Sequence, residues 1–132
     1  VAIVARQHRR RFGHADDVMI AGEGIETMLS LREILPTMPM AAATSSAHLA
    51  AIMFPPTLQR LYVARDRDAA GDAAFGILTD RAQAAGIELM SLMPELGDFN
   101  DDLREHDASV LGQQVCLLLH EHDRTRFFND TG

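Results

Sequence analysis

The sequence contains no lysine and no tryptophan, and only one cysteine and one tyrosine in 132 residues. A lone Cys116 excludes a disulfide framework and a cysteine-built zinc site, and it suits a reducing cytosol. No apolar run approaches the ~18 residues that a membrane-spanning helix requires. The opening, VAIVARQHRRRF, puts its apolar stretch ahead of its basic one, the reverse of a secretory signal. These absences predict a cytoplasmic protein with no membrane partner. The chain opens on Val1 and not on methionine, which reads as a piece of something longer. Positive charge is scarce too: 12 arginines face 19 acids, for a net charge of −7. Such a balance lacks the basic surface that ordinarily drives phosphate binding. It argues against nucleic acid only if the acids are spread evenly, because a cation bound among carboxylates inverts the local sign.

What is present is enough apolar material, 47% of residues, to build the core of one domain. Val1 to Ala5 is a short apolar run, an edge strand or the remnant of an upstream element. Arg9-Arg10-Arg11 reads either as a solvated surface cluster or as a contact to a nucleic-acid backbone. From Val18 the pattern becomes regular. Val18–Ala21, Met40–Ala43, Leu61–Ala64 and Ile87–Leu92 are short apolar runs, as strands buried on both faces require. Between them, Ile25 to Leu35 and Ala70 to Ala85 recur at helical spacing, ended by Pro36 and Gly86. Ser45 or Ser46 caps a short helix before Pro55, and Val110 to His120 forms a final packing helix. Strands alternating with helices predict an α/β fold, a four-stranded, mainly parallel sheet flanked by helices. Residues 1–17 are then an N-terminal extension or edge strand, 18–106 the domain proper, and 107–132 a C-terminal helix and tail.

In such sheets ligands lie beyond the carboxyl ends of the strands, and acids gather at three of those ends. Glu23 and Glu26 follow the first strand, Asp66 and Asp68 the third, and Asp98-Phe99-Asn100-Asp101-Asp102 the fourth. Each loop alone is bland, since acids are ordinary loop and helix-start residues. Convergence on one edge is harder to dismiss. Asp66 and Asp68, two apart in extended chain, point the same way. Gly22 and Gly24 beside Glu23 are read as letting the backbone turn sharply and approach a ligand closely. Hard oxygen ligands without histidine or cysteine favour Mg²⁺ or Mn²⁺, the usual apparatus of phosphoryl and nucleotidyl chemistry. A carboxylate left off the metal can serve as general acid or base.

The string G-E-G-I-E-T-M-L-S, a strand leading into D-R-D-A-A-G-D-A-A, and then G-D-F-N-D-D-L resembles the Toprim family. That module is shared by bacterial-type primases, type IA and type II topoisomerases and OLD-type nucleases. The wording is most similar to the modules of phage- and plasmid-type primases and primase–helicases. The resemblance runs from about Val18 to Leu103 and implies a compact Rossmann-like fold. It also implies Glu23 as the general acid/base, Asp66 and Asp68 as the metal-binding pair, and Asp98 joining the metal. Glu26, Asn100 and Asp101 would be supporting residues. It implies a primase-like, Mg²⁺-dependent nucleotidyltransferase with nucleotides and single-stranded DNA template as partners, engaged through neighbouring zinc-binding or helicase domains. Two alternatives share the motifs: an OLD-type nuclease module, and a non-catalytic nucleic-acid-binding or assembly domain.

The chain departs from the pattern in places. Gly97, not a basic residue, directly precedes Asp98, and neither a zinc module nor a helicase P-loop is present. The one tyrosine, Tyr62, falls within a predicted buried strand, which excludes a complete topoisomerase. His120 and His122 read as a solvated helix end, His48 as a surface residue, Cys116 as buried and inert, and the methionines as core filling.

Overall fold

The computed structural model describes residues 2–3, 17–65, 69–93 and 108–127. In chain order the elements are β1 (Ala2–Ile3), β2 (Val18–Gly22), α1 (Ile25–Ile34), β3 (Met40–Ala42), α2 (Ser46–Ala50) and β4 (Arg60–Ala64). They continue with α3 (Ala69–Ala85), β5 (Glu88–Leu92), α4 (Ala108–Leu118) and α5 (Glu121–Phe127). The sheet order is β1-β3-β2-β4-β5, parallel throughout except for β1, which pairs antiparallel with β3. The four parallel strands are those expected from the apolar runs. The fifth is the two-residue edge strand, with Ala2 opposite Ala42.

Every residue of β2 is buried, because helices cover both faces of the sheet. Side chains alternate along each strand, so two cores form. On one face Val18, Ile20, Met40, Tyr62 and Leu92 pack with Met28 and Leu31 of α1, Val115 of α4, and Leu119. On the other, Met19, Ala21, Leu61 and Val63 pack with Leu49 of α2 and Ala74 and Leu78 of α3. The α3 contact is close because its buried stripe is small: Gly71, Ala74, Leu78 and Ala82. That helix ends as expected at Gly86, whose φ of +73° suits glycine. The Gly86 amide donates to the Gln83 carbonyl and the Ile87 amide to that of Ala82, closing a Schellman motif.

These faces create a crevice. The chain leaves β2 over one face to reach β3, and leaves β4 over the other face to reach β5. Since β2 and β4 are neighbours with Gly22 opposite Ala64, their connections diverge at their carboxyl ends, the place where such sheets bind ligands.

Several expectations need correction. After α4 the chain forms a further helix, α5, within the stretch read from sequence as a C-terminal helix and tail. Cys116 is half-buried rather than fully buried. His120 lies in the break between α4 and α5, where its Nδ1 accepts the His122 amide at 3.1 Å. The ring thus caps α5. Of the methionines, Met19, Met28, Met38 and Met40 are core residues, whereas Met53 is 83% exposed. Among the described residues no helix is long and apolar enough to cross a membrane.

Candidate active site

Glu23 leaves the sheet directly after β2 and is half-buried at the mouth of the crevice. Its peptide is held from the β3 side, where the Thr44 amide donates to the Glu23 carbonyl at 2.7 Å. The Ala43 amide makes the preceding bond to Gly22 at 2.8 Å, so β2 and β3 stay joined one step beyond the strand ends. Thr44 reaches its acceptor with φ at +74°, the one positive φ of a non-glycine among the described residues. A β-branched residue there costs about 1–2 kcal/mol, offset by the links on either side. Beyond it Ser45 returns to extended backbone and caps α2, its Oγ accepting the His48 amide at 3.1 Å. His48 is exposed as expected, with Nδ1 3.4 Å from Thr44 Oγ1.

The glycines around Glu23 act differently from the sequence expectation, since neither has a positive φ. A Cβ at Gly22 would stand 2.6 Å from Met28 Sδ and 3.2 Å from Ala64 Cβ. Gly22 is therefore required by the close approach of β2, α1 and β4, not by a turn. Gly24 is extended, with φ −99° and ψ 141°, and starts α1 without a side-chain cap. Glu26 occupies the first turn of α1, favoured by the helix dipole, and is exposed. It is one turn from Glu23, as the spacing required.

Ala64 ends β4 beside Gly22, and Arg65 follows, its amide donating to the Leu92 carbonyl at 2.9 Å. Asp66 and Asp68 come next in the chain and lie outside the described residues, as do Asp98, Asn100, Asp101, Arg9, Arg10 and Arg11. Of the residues singled out from sequence, the structure thus describes Glu23 and Glu26. Among the described residues no three carboxylate, imidazole or thiol groups come together as a metal site. What it adds is the neighbourhood of β2 and β4, which brings Glu23 and the residue preceding Asp66 to adjacent strand ends.

Residues 18–109 match the family model for the Toprim domain. The chain belongs to the Toprim family. No curated protein matches it. Its fold is similar to that of a DNA primase domain from Pseudomonas aeruginosa, at 19% identity and a TM-score of 0.55 over 83% of this chain and 36% of that one. It is similar also to the Aquifex aeolicus primase, a structure of the zinc-binding and RNA polymerase domains. There the figures are 15% identity and a TM-score of 0.61 over 94% of this chain and 34% of that one. A third is the DnaG primase catalytic domain bound to ssDNA, with 15% identity and a TM-score of 0.56 over 82% of this chain and 35% of that one. This Toprim chain therefore spans about a third of the length of the primase chains it resembles.

The Toprim core carries one tyrosine, and its surroundings exclude a nucleophilic role. Tyr62 is fully buried in β4, donates to Asp123 Oδ2 at 2.6 Å and accepts the His120 amide at 2.9 Å. Burial, and then the bond to Asp123, push its pKa above the ordinary 10. The phenol therefore ionises in the unfolded chain before it does so in the folded one. The stability this confers is present below about pH 10 and is lost as pH rises beyond it. With no lysine in the chain, few other groups change charge there. Urea midpoints measured from pH 8 to 11.5 are expected to fall above pH 10 in the wild type and stay level in Tyr62→Phe. Equal slopes in the two proteins would remove Tyr62 as the cause.

Sequence reading missed Thr44, Arg65 and Asp123. Threonine gives no signal for a positive φ, and Arg65 finds its partners, Asp72 and Phe75, only on the helix that follows. Asp123 lies in the polar string E-H-D-R-T-R, where nothing marks it as buried.

Proposed function

We propose that this Toprim domain is the catalytic module of a primase-like protein, performing metal-dependent nucleotidyl transfer in primer synthesis. The observation that carries the reading is the adjacency of the β2 and β4 ends. It puts Glu23 beside the strand whose continuation is Asp66-Arg67-Asp68, at the crevice where the connections diverge. Asp66, Asp68 and Asp98 would hold Mg²⁺ or Mn²⁺; their hard oxygen chemistry suits either ion. When bound, the metal supplies positive charge to the phosphoryl oxygens on which the reaction builds negative charge. Glu23, tied down at its backbone and half open to solvent, takes the proton of the attacking 3′-hydroxyl or returns one to the leaving group. Glu26, Asn100 and Asp101 support that cluster, and Arg9, Arg10 and Arg11 are the candidates for contact with a nucleic-acid backbone.

The similar primase structures support nucleic acid as partner, one of them with ssDNA and another with a zinc-binding domain. In this reading the template and nucleotides are engaged through neighbouring zinc-binding or helicase domains. The cytoplasm is the compartment where such a module meets its template.

Mn²⁺ or Mg²⁺ titrated into the chain and into Asp66→Ala/Asp68→Ala tests the reading through backbone amide shifts. Shifts grouped on Glu23, residues 65–69 and Asp98 in the wild type, and lost in the variant, are expected. Shifts scattered over surface acids equally in both proteins would overturn the metal reading and leave an assembly or binding domain.

A further inference from the structure

Arg65 is the last residue before the D-R-D segment, and its side chain grips the helix that follows. Nη2 pairs with Asp72 in the first turn of α3, and the guanidinium lies over the Phe75 ring, 4.3 Å from its centroid. Its backbone is fixed independently, the Arg65 amide donating to the Leu92 carbonyl of β5 at 2.9 Å. Nε is buried and has no partner, so Asp72 and Phe75 are the ties of this head group among the described residues. Three residues, Asp66, Arg67 and Asp68, separate Arg65 from Ala69 at the start of α3.

We infer that Arg65 is a positioning residue for the metal-binding pair: with Asp72 and Phe75 it fastens the first turns of α3 to the end of β4 and so fixes both ends of the segment bearing Asp66 and Asp68. A bidentate or stacked guanidinium is suited to such a bracket, because its planar head holds one geometry while a lysine ammonium rotates. The inference rests on the proposed metal role of that pair and adds how it is held.

Electrostatics and positioning make opposite demands here, and that makes the test decisive. Arg65 is a positive charge next door to Asp66, and its removal also uncovers the Asp72 carboxylate. On charge alone Arg65→Ala should bind a divalent cation more tightly. If Arg65 positions the ligands, binding weakens, as it does when supporting residues around metal ligands are lost, by roughly tenfold or more. The probe is Mn²⁺ alone, titrated into the full 132-residue chain and followed by the electron paramagnetic signal of the free ion. We expect Arg65→Ala to weaken Mn²⁺ binding about tenfold, with Arg65→Lys recovering part of the loss. Phe75→Leu keeps every charge and removes the stack, and a loss of two- to fivefold is expected, on the order of a partly disturbed ligand shell. Folded Arg65→Ala with unchanged or tighter binding overturns the inference. Should Arg65→Ala fail to fold, Phe75→Leu decides, and unchanged affinity there overturns it equally. Absence of Mn²⁺ binding in the wild type is a different result: it removes the metal reading itself, and the bracket with it.

Discussion

Asp123→Ala is expected to destabilise the fold by about 3–5 kcal/mol, the range for removing one partner of a buried charged pair. Asp123 is 0% exposed although it lies on a helix with a polar sequence. Its Oδ2 receives the Tyr62 hydroxyl at 2.6 Å and Arg60 Nη1 at 2.8 Å, while Oδ1 is buried without a partner. Alanine would strand a buried phenol and a largely buried guanidinium, and would cut the link that seats α5 against β4. Other ties of that helix remain: Arg124 donates to the Cys116 and Leu119 carbonyls at 3.0 and 3.1 Å, and Phe127 packs against the core. Arg126 meets Asp17 at 2.9 Å with both side chains about a third exposed, which puts that pair in the class worth under ~1 kcal/mol. Arg60 keeps Glu88 at 3.0 Å, but Glu88 is half exposed. Urea denaturation should show a lower midpoint with a similar slope. A loss below about 1 kcal/mol would mean that the unpartnered oxygen already cancels most of what the other contributes.

The second large effect is chemical. In Glu23→Gln, the metal-dependent rate of phosphodiester formation is expected to fall roughly 10²- to 10⁴-fold, the usual contribution of a positioned acid or base. Mn²⁺ binding should stay within about a factor of two, because the proposed ligands are Asp66, Asp68 and Asp98. Glutamine keeps the shape and the backbone bond from Thr44, so loss of the proton-carrying oxygen is isolated. Metal affinity falling together with rate would make Glu23 a ligand instead of a proton carrier. An unchanged rate would remove it from the site.

The two results probe neighbouring strands of one sheet, and the sequence made them unequally legible. Val18–Ala21 and Leu61–Ala64 could be read as buried strands because burial on both faces leaves no room for polar alternation. The helix α3 could be read from its alanine spacing and from Gly86, whose φ the structure bears out. Glu23 stood out only in company, since an acid after a strand is ordinary and an acid after each of three strands is not. The helix α5 could not be read from its apolar spacing. E-H-D-R-T-R-F has no apolar stripe, and what holds it is a carboxylate buried against residues some sixty positions earlier. Thr44 escaped for a related reason: its unfavourable φ is set by bonds to Glu23 and by the cap of α2, which are tertiary facts. Gly22 was noticed for freedom to turn and for close approach to a ligand, whereas the structure uses its lack of volume against Met28 and Ala64.

The placement of Tyr62 also settles how the molecule looks to light. With one tyrosine and no tryptophan, absorbance and emission near 280–305 nm arise almost wholly from a single phenol. That phenol sits in the middle of the sheet with its hydroxyl on a carboxylate, an arrangement that quenches emission and shifts absorption to the red. Unseating α5 takes the carboxylate away, and the ring brightens. The protein thus carries an unlabelled optical gauge of its own C-terminal docking, one that reads the single bond between Tyr62 and Asp123.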